Sequence, residues 1–206
     1  MNAKNILLLG LLTIVLFPLA GFGIHYFLGE GSFWSIFTTK SNYPLEIAIG
    51  IGTGTLGGLL GWFVITRKLL KPALNKYKGL IGTLRLNTTT IILVSICAGV
   101  GEEIFFRGVL QPLPYLGIWI TAIIFVAIHG YLNPLDWRVS IYGIYMTLLI
   151  ALLGWFTDIF GLTTAMVAHT MVDVVLFKFL VTTDQEEQDD EDETSEEPSE
   201  LNQASS

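Results

Sequence analysis

Six apolar stretches alternate with polar ones along the chain, at residues 5–27, 45–65, 88–113, 116–130, 139–156 and 159–181. A spanning helix needs about 20 apolar residues to cross a hydrocarbon core of ~30 Å. The pattern therefore predicts an all-α fold, a multi-span transmembrane bundle of about six helices. Past residue 182 it stops, and Asp, Glu, Gln, Ser and Thr dominate. Such a segment cannot bury enough apolar surface to offset its ordering entropy, which predicts a disordered acidic C-terminal tail. Three segments follow: two spans and a basic loop (1–87), a four-span core (88–182) and the tail (183–206).

The first stretch follows Lys4 and has the n- and h-regions of a secretory signal as far as Phe17. It continues past Pro18 to Leu28 without an A-x-A cleavage site, so a retained helix is expected, with His25 packed or interfacial near its end. The second stretch carries Gly50, Gly52, Gly54, Gly57, Gly58 and Gly61, with G-x-x-x-G spacings at Gly50–Gly54, Gly54–Gly58 and Gly57–Gly61. Small residues let helix backbones approach closely, and a packing face is predicted there. No Lys-Ser/Thr follows these glycines and no strand precedes them, which excludes a phosphate-binding loop.

Charge adds a topology. The formal net charge of −7 belongs to the tail: of 18 acids, 11 lie between Asp184 and Glu200, leaving 11 bases against 7 acids elsewhere. Arg67, Lys68, Lys71, Lys76, Lys78 and Arg85 form a loop with no acid, which the positive-inside rule assigns to the cytoplasm. There it can also meet anionic headgroups. Six crossings then leave both termini cytoplasmic, with Lys4, Arg138 and Lys178 on that side and Lys40 outside. The expected location is the cell membrane, and topology accounts for the basic loop without a nucleic-acid partner. The single Cys97 excludes an intrachain disulfide and reads as a core or lipid-buried thiol.

Against this apolar background one stretch carries three charges: Ala98-Gly99-Val100-Gly101-Glu102-Glu103-Ile104-Phe105-Phe106-Arg107-Gly108. A charge at the bilayer centre costs roughly 2.5–3.5 kcal/mol on insertion scales and usually faces a bundle interior or a cavity. Glu103 and Arg107 are four apart, share a helix face and can pair as structural support. Glu102 is rotated by about 100° from Glu103 and has no partner in sequence. The fourth stretch ends in Phe125-Val126-Ala127-Ile128-His129, and the sixth carries His169-Thr170-Met171-Val172-Asp173. Away from loops and span ends, Glu102, Glu103, Arg107, His129, His169 and Asp173 thus make up essentially the whole ionisable set, and such sets mark pathways or catalytic sites. Counting at 1.5 Å per residue puts Glu102 ~21 Å from residue 88 and His129 a similar distance from residue 116 at the opposite face. The two depths disagree by several ångströms unless a helix tilts, starts later or breaks.

The order Glu102-Glu103-x-x-x-Arg107-Gly108, then Phe125-x-x-x-His129, then His169-x-x-x-Asp173 resembles the CPBP family. This family of intramembrane proteases includes the CAAX prenyl endopeptidases and the bacterial Abi proteins. The resemblance covers about residues 88–181 and departs from the CAAX-processing members at Asp173, where they have Asn. It implies Glu102 as general base, His129 holding and polarising the water, and His169 with residue 173 stabilising the tetrahedral intermediate. An ionised Asp would repel an oxyanion, so Asp173 fits if protonated or if it orients His169; the orienting role is the expectation. A second mechanism stays open, with Glu102, His129 and His169 as zinc ligands and an open position for water. No other cofactor is implied.

Two other classes compete. A proton-coupled transporter would use the same groups as a relay, but no inverted repeat is evident. A non-catalytic bacteriocin-immunity or peptide-binding membrane protein would keep the pocket without cutting. The expectation carried forward is an endopeptidase acting on a membrane-embedded or lipidated protein or peptide, with prenylated CAAX-type substrates as one case.

Overall fold

The computed structural model describes the backbone of residues 3–82 and 86–203 and the side chains of residues 5–79 and 86–183. Every regular element among them is helical: α1 (Ala3–Leu28), α2 (Tyr43–Ile65), α3 (Lys71–Gly82), α4 (Thr88–Glu103), α5 (Gly117–Ile128), α6 (Trp137–Ile159) and α7 (Leu162–Gln203). Local chemistry sets three of the starts. The side-chain oxygens of Asn42, Asn87 and Asp136 accept the backbone N–H groups of Leu45 (3.0 Å), Thr90 (2.8 Å) and Arg138 (3.1 Å). Each satisfies a donor that a helix N-terminus leaves unpaired. Arg85 and the Lys4 side chain, used above for topology, lie outside the described residues. So do the side chains of the acidic segment from residue 184 onwards; its backbone, for which disorder was expected, continues α7 to Gln203.

Five helices are long and apolar enough to span a membrane: Asn5–Leu28, Tyr43–Ile65, Thr88–Leu110, Trp137–Ile159 and Leu162–Thr183. The fourth of the six expected spans differs. Its helix, α5, has 12 residues, about 18 Å at 1.5 Å per residue, and is too short to cross alone. Pro112 and Pro114 delay its start, Tyr115 and Gly117 adopt positive φ, and Gly130 with φ 73° follows its end. The last boundary also moves. Residue 159 ends α6 rather than beginning α7, because the chain reverses at Gly161, whose φ of 127° side chains rarely adopt.

Neighbouring contacts fix the directions. Gly50, Gly54 and Gly58 of α2 face Val167, Met171 and Val175 of α7, so these two helices run parallel. Gly10 and Gly21 of α1 face Cys97 and Val109, so α1 runs with α4. Lys178 Nζ donates to Thr88 Oγ1 at 3.3 Å, which sets α7 against α4. The helices α1, α4 and α6 therefore run one way and α2, α5 and α7 the other. The short α5 with its following loop completes a sixth passage, and the start of α1 shares an end with Thr183. The predicted glycine face is the α2 seam: a Cβ at Gly54 would stand 2.6 Å from Met171 Cβ, and one at Gly57 would stand 2.8 Å from Leu149 Cδ1. The opposite faces carry bare leucines, including Leu8, Leu12 and Leu19 of α1 and Leu56, Leu59 and Leu60 of α2. Apolar surface of this extent suits lipid contact rather than water.

Candidate active site

Near its end α4 changes its winding. Residues Ile104–Leu110 form a π-helix, and Gln111 N–H reaches back five residues to Phe106 O at 2.8 Å. Wide turns of this kind insert a residue and are frequent at functional sites. Two glycines just before it admit neighbouring helices. A Cβ on Gly99 would stand 2.8 Å from Met166 O, and one on Gly101 would stand 2.7 Å from Thr13 O. The backbones of α7 and α1 thus pass where side chains would otherwise be, bringing α7 within reach of the paired carboxylates.

The two glutamates have separate partners. Glu103 is fully buried, and Arg107 is 2% exposed. Glu103 Oε2 meets Arg107 Nε at 3.1 Å, the pair expected from their spacing. Its Oε1 meets His169 Nδ1 at 2.8 Å, across 66 residues of sequence. Arg107 is held further by Ile150 O, 3.2 Å from Nη2, and lies 4.9 Å from the Phe125 ring. Glu102 Oε2 instead faces His129 Nε2 at 3.3 Å. His129 Nδ1 stands 2.7 Å from Phe125 O. A carbonyl can only accept, so Nδ1 carries the hydrogen there. Any bond between Nε2 and Glu102 then depends on one further proton shared between them.

Phe125 joins the two halves. Its ring stacks on His129 at 4.3 Å and meets His169 edge-on at 5.5 Å. Asp173 Oδ2 lies 3.7 Å from His169 Nε2. Asp173, expected to orient His169, faces its Nε2, while Glu103 takes the bond at Nδ1. The four residues Glu102, His129, His169 and Asp173 line one cavity of about 240 Å³ with Phe125, Tyr131 and, from α1, Ile6, Leu9, Gly10 and Thr13.

The cluster holds three carboxylates against one guanidinium. Uncompensated buried charge is costly, and protons on both histidines would make the group neutral. No group of three His, Cys, Asp or Glu side chains among the described residues has the spacing to hold a metal ion. His169 is drawn towards Glu103 instead of joining Glu102 and His129, so the zinc set that the sequence left open does not converge.

The depth disagreement is resolved at the π segment. Arg107 is level with Ile150 and Gln111 with Gly154, well inside the Ile159 end of α6. The carboxylates therefore lie deeper from that face than a full third span would put them, at the level of His129. Gln111 was not singled out from sequence, yet its Nε2 donates to both Gly154 O and Asp158 Oδ1 at 3.0 Å. Neither was Tyr131; its only sequence signal is its position two residues after His129.

Residues 85–175 match the model of a family described as type II CAAX prenyl endopeptidase Rce1-like. Neither the curated proteins nor the solved structures contain a match to this chain. The matched segment contains all six ionisable residues of the cluster and lies in a multi-pass bundle of apolar helices. Residues 85–175 are thus similar to the Rce1-like CAAX endopeptidases, in agreement with the CPBP resemblance of the motif order.

Proposed function

We propose that this protein is an intramembrane endopeptidase that hydrolyses a peptide bond of a membrane-embedded or lipidated substrate through Glu102 and His129. The observation that carries the reading is the 3.3 Å approach of Glu102 Oε2 to His129 Nε2 in a cavity shared with His169 and Asp173. Glu102 removes a proton from water as the water oxygen attacks the scissile carbonyl. His129 helps to hold that water and shares the abstracted proton. When the tetrahedral intermediate collapses, the proton passes to the departing amine, so acid and base are the same pair. His169 is flanked by Glu103 at Nδ1 and Asp173 at Nε2. A carboxylate at each nitrogen suits an imidazolium, with Nε2–H on the Asp173 side.

The wall of the cavity supports a substrate that arrives from the membrane, since α1 contributes four lining residues while its other face is bare leucine. Arg67, Lys68, Arg138 and Lys178 lie towards one end of the bundle and Lys40 at the other, which by the positive-inside rule makes the first end cytoplasmic. A prenylated CAAX-type peptide is the substrate class suggested by the family.

The test uses detergent-purified protein and a quenched peptide library that includes farnesylated peptides. Wild type should cleave at least one sequence, with His129→Ala reducing kcat by about 10²–10⁴-fold, the usual worth of acid–base assistance. Full activity in His129→Ala would remove the pair from the mechanism.

A further inference from the structure

Hydrolysis through the Glu102–His129 pair requires a hydrogen-bond donor for the carbonyl oxygen as it becomes negative, and preorganised donors of this kind usually make a large contribution. Most polar groups of the cavity are ill suited. Glu102 and Asp173 only accept when ionised. His129 has Nδ1 engaged with Phe125 O and Nε2 turned to Glu102. Thr13 donates its hydroxyl to Leu9 O at 3.0 Å. His169 has one ring nitrogen left, and Asp173 Oδ2 stands 3.7 Å from it. Tyr131 is different: it lines the same cavity and carries a neutral O–H.

Its position is built rather than incidental. Tyr131 N–H bonds to Val126 O at 3.2 Å, closing the turn after α5. Gly143 of α6 leaves a notch for its backbone, since a Cβ there would stand 2.9 Å from the Tyr131 carbonyl carbon. Its ring is clasped by Tyr77 at 5.6 Å and Tyr142 at 5.7 Å. It also lies nearly parallel to the His129 ring, 6.4 Å away with 15° between planes. A phenol keeps its proton at neutral pH, so Tyr131 remains an O–H donor.

Resting on the hydrolytic reading above, we infer that Tyr131 is a further catalytic residue whose phenolic O–H donates a hydrogen bond to the oxyanion of the tetrahedral intermediate. The hydroxyl keeps its proton throughout; the water proton travels only through Glu102 and His129 to the leaving amine. The tyrosine supplies the neutral donor that a carboxylate at position 173 does not.

Tyr131→Phe keeps the ring and its packing and removes only the donor. The expected result is a fall in kcat of about 10²–10³-fold, the usual loss for one oxyanion donor, with KM within about twofold and the melting temperature unchanged. Asp173→Asn placed in the Tyr131→Phe background offers an amide N–H to the same cavity and should recover about tenfold or more, a rescue that a structural role for Tyr131 would not give. A second arm needs no turnover: a peptide phosphinate, mimicking the tetrahedral anion, should bind Tyr131→Phe at least tenfold more weakly, while the parent peptide binds equally. Unchanged kcat, or unchanged phosphinate affinity, overturns the role of Tyr131. If Glu102→Gln is inactive in the same assay, that failure leaves the base assignment standing; if Glu102→Gln is also fully active, the hydrolytic reading itself fails.

Discussion

Replacing Glu103 by Gln tests the link between its two partners. The carboxylate is fully buried, pairs with Arg107 across 3.1 Å from Nε and accepts from His169 Nδ1 at 2.8 Å. Glutamine keeps the shape but has one oxygen for two donors, and its amide N–H must point at one of them. Arg107 then retains Ile150 O, the Phe125 and Phe106 rings and the more distant Glu102. Breaking a buried pair from one side costs about 3–5 kcal/mol, because the remaining charge is left uncompensated. For a chain of this size each kcal/mol corresponds to roughly 2–4 °C, so the melting temperature should fall by roughly 6–20 °C. The assay is thermal unfolding in detergent, with Glu103→Gln/Arg107→Gln as the partner variant. Removing both charges should restore a substantial part of the loss. A single variant melting within about 1 °C of wild type, or a double variant no better than the single, would refute the ion-pair account.

Other outcomes follow from the same contacts. Gly54→Val should destabilise the bundle by about 1–3 kcal/mol through overpacking against Met171 and the α7 backbone, while Gly52→Ala, with nothing within 4 Å of its Cβ position, should not; both read out in detergent melting. Burial, with a smaller contribution from Asp136, pushes the Tyr77 phenol up to about 12. The folded state therefore holds that proton more tightly than the unfolded chain, so the stability it confers is present below about pH 10 and lost as pH rises towards 12. Tyr77→Phe should flatten that alkaline loss in a pH series of melting temperatures; an unchanged alkaline slope would contradict it.

How much was legible in the sequence depends on the range of each interaction. Glu103–Arg107 could be read from four-residue spacing, and the glycines at 50, 54, 57, 58 and 61 marked a real seam. The partner of that seam, a parallel α7, could not be read, because nothing local selects it. Asp173 had the spacing to reach His169 and faces its Nε2, but the Nδ1 partner, Glu103, lies 66 residues upstream and could not be read. Spacing joins Glu103 to Arg107 and gives no sign of a second partner, since one base already offsets one carboxylate. The π segment was also hidden: Ile104–Leu110 is apolar apart from Arg107 and contains no proline. Its consequence did show, as the mismatch in depth between Glu102 and His129. The shortness of α5 was masked by an apolar run from 116 to 130, whose helical limits are set by the backbone at Tyr115, Gly117 and Gly130.

The most direct test of the central claim is peptide cleavage by Glu102→Gln beside wild type, each with and without a zinc chelator, after both proteins are shown to melt alike. Glutamine preserves size and removes only the base, so the account predicts a loss of activity of at least about 10²-fold and wild-type cleavage that is indifferent to the chelator. A Glu102→Gln protein that cleaves at the wild-type rate would contradict the assignment of the base, and wild-type activity abolished by the chelator and restored by zinc would contradict a metal-independent mechanism.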